Sequence, residues 1–386
     1  MKFMVGLLFL VVGGAWGQDV TGVVEPGNDV VDDELTGTDV VLAFAIFRHG
    51  DRTPDEEELV LFSTDPKYKE YFFPYGMKAL TNKGKMRGYL VGQYLRQRYD
   101  GLISNLYLPD EITVRTTDYA RTKMTALTAL AAMYPPPPAQ QWNPMLDWQP
   151  IPYDTLAPDV DDLLYWYNCP RYLSLRNKVY EYPEIKMLVS PYQSLFTYLS
   201  SKTGNNITTP EEVFYLDNLF QALENVGIST PKWAEEKMPQ IKEMTKIEYA
   251  AEFFTPELTK YASGLLMAEI LNATNAAING DTDQPKLRLY SAHENNVAAL
   301  MSAARVYQAH QPNYGATFSI ELRRHRNTGQ YGITAVYAPI AGGVGEILPI
   351  QGCGDQAICD YNTFVNLMQD ILITPEEFRQ KCPITA

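Results

Sequence analysis

Val40-Val41-Leu42-Ala43-Phe44-Ala45-Ile46-Phe47-Arg48-His49-Gly50-Asp51-Arg52-Thr53-Pro54 is the stretch on which the reading of the fold turns. Its first eight residues form an apolar run of strand length without polar alternation. Such a run fits a strand buried on both faces, as in a parallel sheet. The run then breaks off into two arginines and a histidine, closed by a proline. A buried strand that delivers charge at its carboxyl end marks the place where open α/β sheets bind ligands.

Outward from this point the chain alternates. Thr81 reads as the N-cap of a helix running to about Arg98, with Met86, Leu90 and Tyr94 at helical spacing. Residues 112–115 make a short strand, and Thr117 caps a following helix that carries Arg121 early and ends at the four prolines 135–138. Residues 286–291 read as another strand, leading into His293 and Glu294 and a helix to about Gln308. Residues 317–322 and 331–337 flank Asn327-Thr328-Gly329-Gln330 as a hairpin. The order implies an α/β fold, a mostly parallel-stranded sheet flanked by helices. Between about 141 and 254 the chain is rich in Tyr, Pro and charge, with helical patches and few strand signals. This predicts a discontinuous core over 40–140 and 255–386, interrupted by a mainly helical cap over 141–254.

The N-terminus reads as an address. Lys2, an apolar run over residues 3–12 and Ala15-Trp16-Gly17 form a signal-peptide pattern, with cleavage expected after Gly17. The run is too short for a membrane span of roughly 20 residues. Residues 18–39 hold seven acids and no Lys or Arg, and read as a solvated acidic leader. The net charge of −14 stays negative without them, which argues against a nucleic-acid surface. Any anion the protein binds must therefore be held by a local positive cluster.

The chain has four cysteines, an even number fit for a secreted protein. One of three pairings closes a small loop with Cys353–Cys359 and clips Cys169 to Cys382; sequence alone selects none. A zinc site is the rival reading, weakened by the lack of any CxxC spacing and by the presence of only four His. His310 and His325 read as structural or surface residues. Asn206-Ile207-Thr208 and Asn272-Ala273-Thr274 are acceptors for N-glycosylation in a secreted chain.

Arg48, His49 and Arg52 follow one strand, Arg121 lies just beyond a second, and His293 and Glu294 follow a third. Arginine forks match phosphate oxygens and keep their charge at low pH. A cluster of this kind calls for an anion, and dianionic phosphate is the natural candidate.

These residues carry a resemblance. Arg48-His49-Gly50-Asp51-Arg52-Thr53-Pro54 resembles the signature of the histidine acid phosphatases. Residues 116–122 (TTDYART) resemble the family's second motif, and Ser291-Ala292-His293-Glu294 its third, usually written His-Asp. Residues 142–144, 148–152 and 168–171 resemble the animal prostatic and lysosomal branch. The likeness runs from about Val40 to Cys382. It implies a phosphoric monoester hydrolase of acid-phosphatase type, acting through a phosphohistidine on His49 with Glu294 as proton donor. Arg48, Arg52, Arg121 and His293 would bind the phosphate, Tyr165 would stand at the pocket mouth, and no metal or cofactor would be needed. Asp51 is the weaker alternative donor and is expected to orient the arginines. Similar animal enzymes are often dimers, so a homodimer is one reading of the assembly. The implied location is extracellular, with a lysosome as the second setting. The rival readings are a mutase, a phytase, or a secreted phospho-ligand-binding protein with weak or no catalysis.

Overall fold

The computed structural model describes residues 35–62 and 70–383. The signal-peptide reading and residues 18–34 of the leader lie outside them. Eight strands form one sheet: β1 (Thr38–Arg48), β2 (Ile112–Thr117), β3 (Asp154–Leu156), β4 (Leu287–Ala292), β5 (Thr317–His325), β6 (Tyr331–Ala338), β7 (Glu346–Leu348) and β8 (Cys359–Asp360). Their order is β3-β2-β4-β1-β5-β6-β7, with β8 on β6. β3, β2, β4 and β1 run parallel, and β5 to β8 extend the sheet antiparallel. The predicted hairpin is the β5–β6 connection.

The apolar run of β1 is buried throughout from Leu42 to Phe47. Because side chains alternate along a strand, the run feeds two cores. Leu42, Phe44 and Ile46 pack beneath Leu266, Met267, Ile270, Val297 and Leu300. These belong to two helices, α5 (Pro256–Ile278) and α6 (Glu294–Ala303). Ala43, Ala45 and Phe47 pack on the other face against Val91, Leu95, Ala126, Ala129 and Met133. Those come from α1 (Asn82–Arg98) and α2 (Ala120–Met133). A strand buried on both faces has no room for polar alternation, which is why its sequence shows none.

The span read as the cap is mainly helical and includes α3 (Pro210–Glu224) and α4 (Met238–Glu252). Leu216, Phe220, Ile241 and Met244 centre its core, which also takes in Leu59 and Phe72 from the segment after β1.

Several boundaries differ from the sequence reading. Thr38 and Asp39, read as leader, already pair with His325 and Arg324. β3, inside the span read as cap, pairs with β2. Thr117 ends β2 and does not cap α2; Tyr119 holds the N-cap position. The helix after His293 stops at Ala303, short of Gln308. Met86 is exposed, because α1 turns glycines rather than large side chains toward α2. At Gly92 an added Cβ would sit 2.1 Å from the Ala129 carbonyl oxygen, so the two helices cross too closely for any side chain there.

Candidate active site

The carboxyl ends of β1, β2 and β4 are level: Arg48 stands beside Ala292, and Thr116 beside Ser291. This register brings the three charged segments together. α2 and α6 both begin at this edge, and their N-terminal backbone dipoles add positive potential. Gly50 lets the β1 loop press onto α1, since a Cβ there would lie 2.1 Å from the Gly84 oxygen. The Gly50 N–H donates to Thr125 Oγ1 at 3.1 Å, and Thr125 donates to the Arg121 carbonyl at 2.8 Å. The loop bearing His49 is thereby tied to the helix bearing Arg121.

His49 is buried, and its Nδ1 lies 2.8 Å from the Gly50 carbonyl. A carbonyl only accepts, so Nδ1 carries the proton and the Nε2 lone pair faces the pocket. Burial, then the charges of Arg121, His293, Arg48 and Arg52, push its pKa well below the ordinary histidine value. Arg121 Nε donates to Nε2 at 3.2 Å. The ring is neutral and in a fixed tautomer, with Nε2 as its basic nitrogen.

The arginines are differently engaged. Arg52 forks Glu58 with contacts of 2.8 and 2.5 Å, leaving its Nε unpartnered. Arg121 stacks on Tyr119 at 4.7 Å, and its Nη1 makes no hydrogen bond, although Asp55 lies 3.6 Å away. Arg48 does not line the cavity. It is fully buried, donates to the Pro312 carbonyl at 2.7 Å and lies over Tyr314 at 3.9 Å, with Nη2 unpartnered. Buried guanidinium donors without partners are costly, and an oxyanion is the ligand that satisfies them.

Glu294 is buried, 3.0 Å from Arg48 Nε and 3.9 Å from His49 Nε2. Burial acts to raise its pKa, but the charges of Arg48, Arg52 and Arg121 outweigh burial and hold it below the usual glutamate value. Nε2 of His293 donates to Thr117 Oγ1 at 3.0 Å in the arrangement where Thr117 donates on to Thr122. The His293 ring meets Tyr119 edge-on, with centroids 4.9 Å apart. Burial and Arg121 push the His293 pKa well down.

The expectation of a strongly positive pocket needs correction. Both histidines are neutral, and Asp55, Glu58 and Glu294 stand among the three arginines. Asp51 also differs from its expected role. It pairs with Arg87 and Lys83 behind the loop and touches none of the pocket arginines. His49, His293 and Glu294 form the one group with metal-ligand proximity among the described residues. Three guanidiniums around it favour an anion over a cation.

The cavity encloses about 470 Å³ and continues from His49, Arg52, Arg121 and His293 outward past Tyr119 and Tyr165 into the cap. Asn296 holds the Tyr165 segment by donating to the Leu164 carbonyl at 2.8 Å. The sequence reading missed Asp55, Glu58, Tyr119 and Tyr314. Asp55 and Tyr119 sit within or beside the motifs, whereas Tyr314 arrives only through the pairing of β5 with β1.

The structure joins Cys169 to Cys382 and Cys353 to Cys359. Asn206 and Asn272 are both exposed. His310 contacts Tyr337 and the Gln308 carbonyl, away from the pocket.

Comparison with known proteins adds the following. The family model of the histidine phosphatase superfamily (branch 2) matches residues 40–337. The venom acid phosphatase Acph-1 of Apis mellifera is 32% identical, over 86% of this chain and 85% of that protein. The prostatic acid phosphatase of Bos taurus is 32% identical, over 88% and 86%. Among solved structures, the apo form of the Hafnia alvei phytase superposes with a TM-score of 0.65. It is 17% identical and covers 87% of this chain and 98% of that one, a likeness of fold alone.

Proposed function

Because this chain belongs to the histidine phosphatase superfamily, branch 2, we propose that it is a secreted acid phosphatase working through a phosphohistidine on His49. The observation that carries this reading is the set of buried, unpartnered N–H groups on Arg52 and Arg121, with Arg48 behind Glu294, beside the His49 Nε2 lone pair to which Arg121 Nε donates. Phosphoryl transfer asks a protein mainly for positioning and for charge on the equatorial oxygens. These donors supply both, and a bound phosphate satisfies them.

In the first step Nε2 attacks phosphorus in line; the P–N bond forms as the P–O bond to the alcohol breaks. Protonated Glu294 gives its proton to the departing oxygen. In the second step water attacks phosphorus, the carboxylate of Glu294 takes a proton from it, and the P–N electron pair returns to Nε2. Splitting the reaction lowers each barrier.

Attack requires phosphorus at about 3–3.5 Å from Nε2, yet a Glu294 oxygen stands 3.9 Å from that atom. The carboxylate must swing off Arg48 as phosphate enters, and the extra methylene relative to Asp gives it the torsion to do so. The incoming anion offsets the arginine charges that keep Glu294 ionised, so its pKa rises and it picks up the proton it later donates. The two disulfides, together with the exposed asparagines Asn206 and Asn272 of the Asn-X-Thr sites, support an oxidising, extracellular setting.

The test is phosphate release from a chromogenic aryl phosphate near pH 5, with His49→Ala as the control. Turnover by the wild type, its loss in a folded variant, and base-stable label on histidine are expected. Substantial activity in folded His49→Ala protein would remove the nucleophile assignment. A chain that binds sulfate but releases no phosphate would instead be a phospho-ligand-binding protein.

A further inference from the structure

The cavity does not end at the phosphate. Its cap-side wall holds Glu211, Glu248 and Glu252 with Tyr167, Tyr215 and Tyr249, and Arg176 is the cation among them. Arg176 and Tyr180 both bond Glu248, so that carboxylate is matched. Glu252 is not. Its Oε1 accepts from the Tyr167 hydroxyl at 3.0 Å, and Tyr167 in turn accepts from Asn295 Nδ2 at 3.1 Å. Among the described residues its Oε2 has no partner, although Glu252 is only 6% exposed. Two other buried oxygens on the same wall are also unpartnered, the Tyr249 hydroxyl and Asn295 Oδ1.

From these three oxygens we propose that the cap end of the cavity is an ammonium subsite, so that the preferred substrates are phosphate monoesters of alcohols bearing a primary amine. This rests on the phosphatase reading above and specifies its leaving group. A primary ammonium carries three N–H donors and no acceptor. Asn295 Oδ1 and Tyr249 Oη offer two acceptors, and Glu252 Oε2 becomes a third, charged one when the acid ionises against the ammonium, beside tyrosine faces that attract a cation. An anionic or purely apolar leaving group would leave these groups unsatisfied. Asn295 directly follows Glu294, so the subsite joins the phosphate end without a gap in the wall. Burial, then Glu248, raises the Glu252 pKa to about 8, with Arg176 and Tyr167 opposing and Glu211 adding to the rise. An ammonium at Oε2 would stabilise the carboxylate form and relieve this strain on the buried acid.

The experiment measures binding rather than turnover. ω-Aminoalkyl phosphonates and alkyl phosphonates with neutral tails of matched length, from two to six carbons, are titrated calorimetrically into the full chain at pH 9, where Glu252 is ionised and a primary amine keeps its proton. At the fitting length the amine should bind tenfold to a hundredfold tighter, the range for a hydrogen bond to a charged group. Glu252→Gln should bring that ratio close to one, and Tyr249→Phe should lower it without abolishing it. Neutral-tailed phosphonates that bind while amines bind no better at any length would overturn the subsite alone. A ratio unchanged in both variants would do the same. Failure of both series to bind would overturn the phosphate site and the subsite together.

Discussion

Replacing Glu294 with Gln removes one charge and one proton from the pocket while keeping the side-chain volume, so two opposite effects should appear. The first is on chemistry. An alkyl phosphate needs its leaving oxygen protonated, and general acid catalysis supplies about 10²- to 10⁴-fold; Glu294→Gln should lose that much on glycerol phosphate. A nitrophenyl phosphate leaves with little protonation and should lose far less. The second effect is on anion binding. Glu294 lies 3.9 Å from His49 Nε2, close to where a bound anion sits. Two unit charges at such a distance repel by about 4 kcal/mol at an effective dielectric of about 20, and a third of that is already about tenfold. Sulfate should therefore inhibit the variant at least about tenfold more tightly at pH 7, where the wild-type carboxylate is ionised. Single-turnover rates on both substrates and the inhibition constant for sulfate are the measurements. Glu294→Asp keeps the carboxyl on a shorter arm that leaves the attack position open without a swing, so it should retain most of the alkyl phosphate activity. Equal losses on the two substrates, or sulfate affinity unchanged in Glu294→Gln, would refute the reasoning and reduce Glu294 to a prop for Arg48.

Sulfate keeps its charge between pH 5 and pH 7, so the pH dependence of its binding reports protons taken up by the protein. Glu294, His49 and His293 all have depressed pKa values that a bound anion would raise. Affinity should fall as pH rises, by up to about tenfold per unit for each proton taken up, and a flat profile would contradict the charge balance described. Glu58→Ala leaves Arg52 buried without its bidentate partner; breaking such a pair costs about 3–5 kcal/mol, to be read as a lowered denaturant midpoint. Phosphate should recover part of that loss, and a variant as stable as the wild type would show the pair to be dispensable.

The sequence made β1 legible because a strand buried on both faces carries a continuous apolar signal, as residues 42–47 do. The site was legible for a related reason: Arg48, His49, Arg121 and His293 are polar residues placed just after such strands, where burial would otherwise forbid them. What stayed hidden is tertiary in origin. The face of α1 turned to α2 carries Gly88 and Gly92, so large residues at helical spacing pointed to Met86, which is exposed. Pairing of β3 with β2 rests on three short registers that a Pro- and Tyr-rich stretch does not announce. The partners of Arg52 and Arg48, Glu58 and Tyr314, come from a short helix and a distant loop, and no local pattern assigns either to an arginine.

The charge balance in the pocket also bears on why the arrangement suits acid. Three arginines facing three carboxylates, with both histidines neutral, leave no large net charge to attract a dianion outright. Binding gains its drive only when a carboxylate gives way, and Glu294 is the one placed to do so. Asp55 and Glu58 lie with Arg52 and Arg121 on the β1 loop side, whereas Glu294 shares its arginine with no other acid. On the proposed mechanism a bound phosphate raises the depressed Glu294 pKa, lower pH then favours the protonated acid, and Arg48 is left for the phosphate. In that proposal the same proton stands beside the leaving oxygen, so one titrating group would serve both anion binding and acid catalysis, which a permanently positive pocket would not provide.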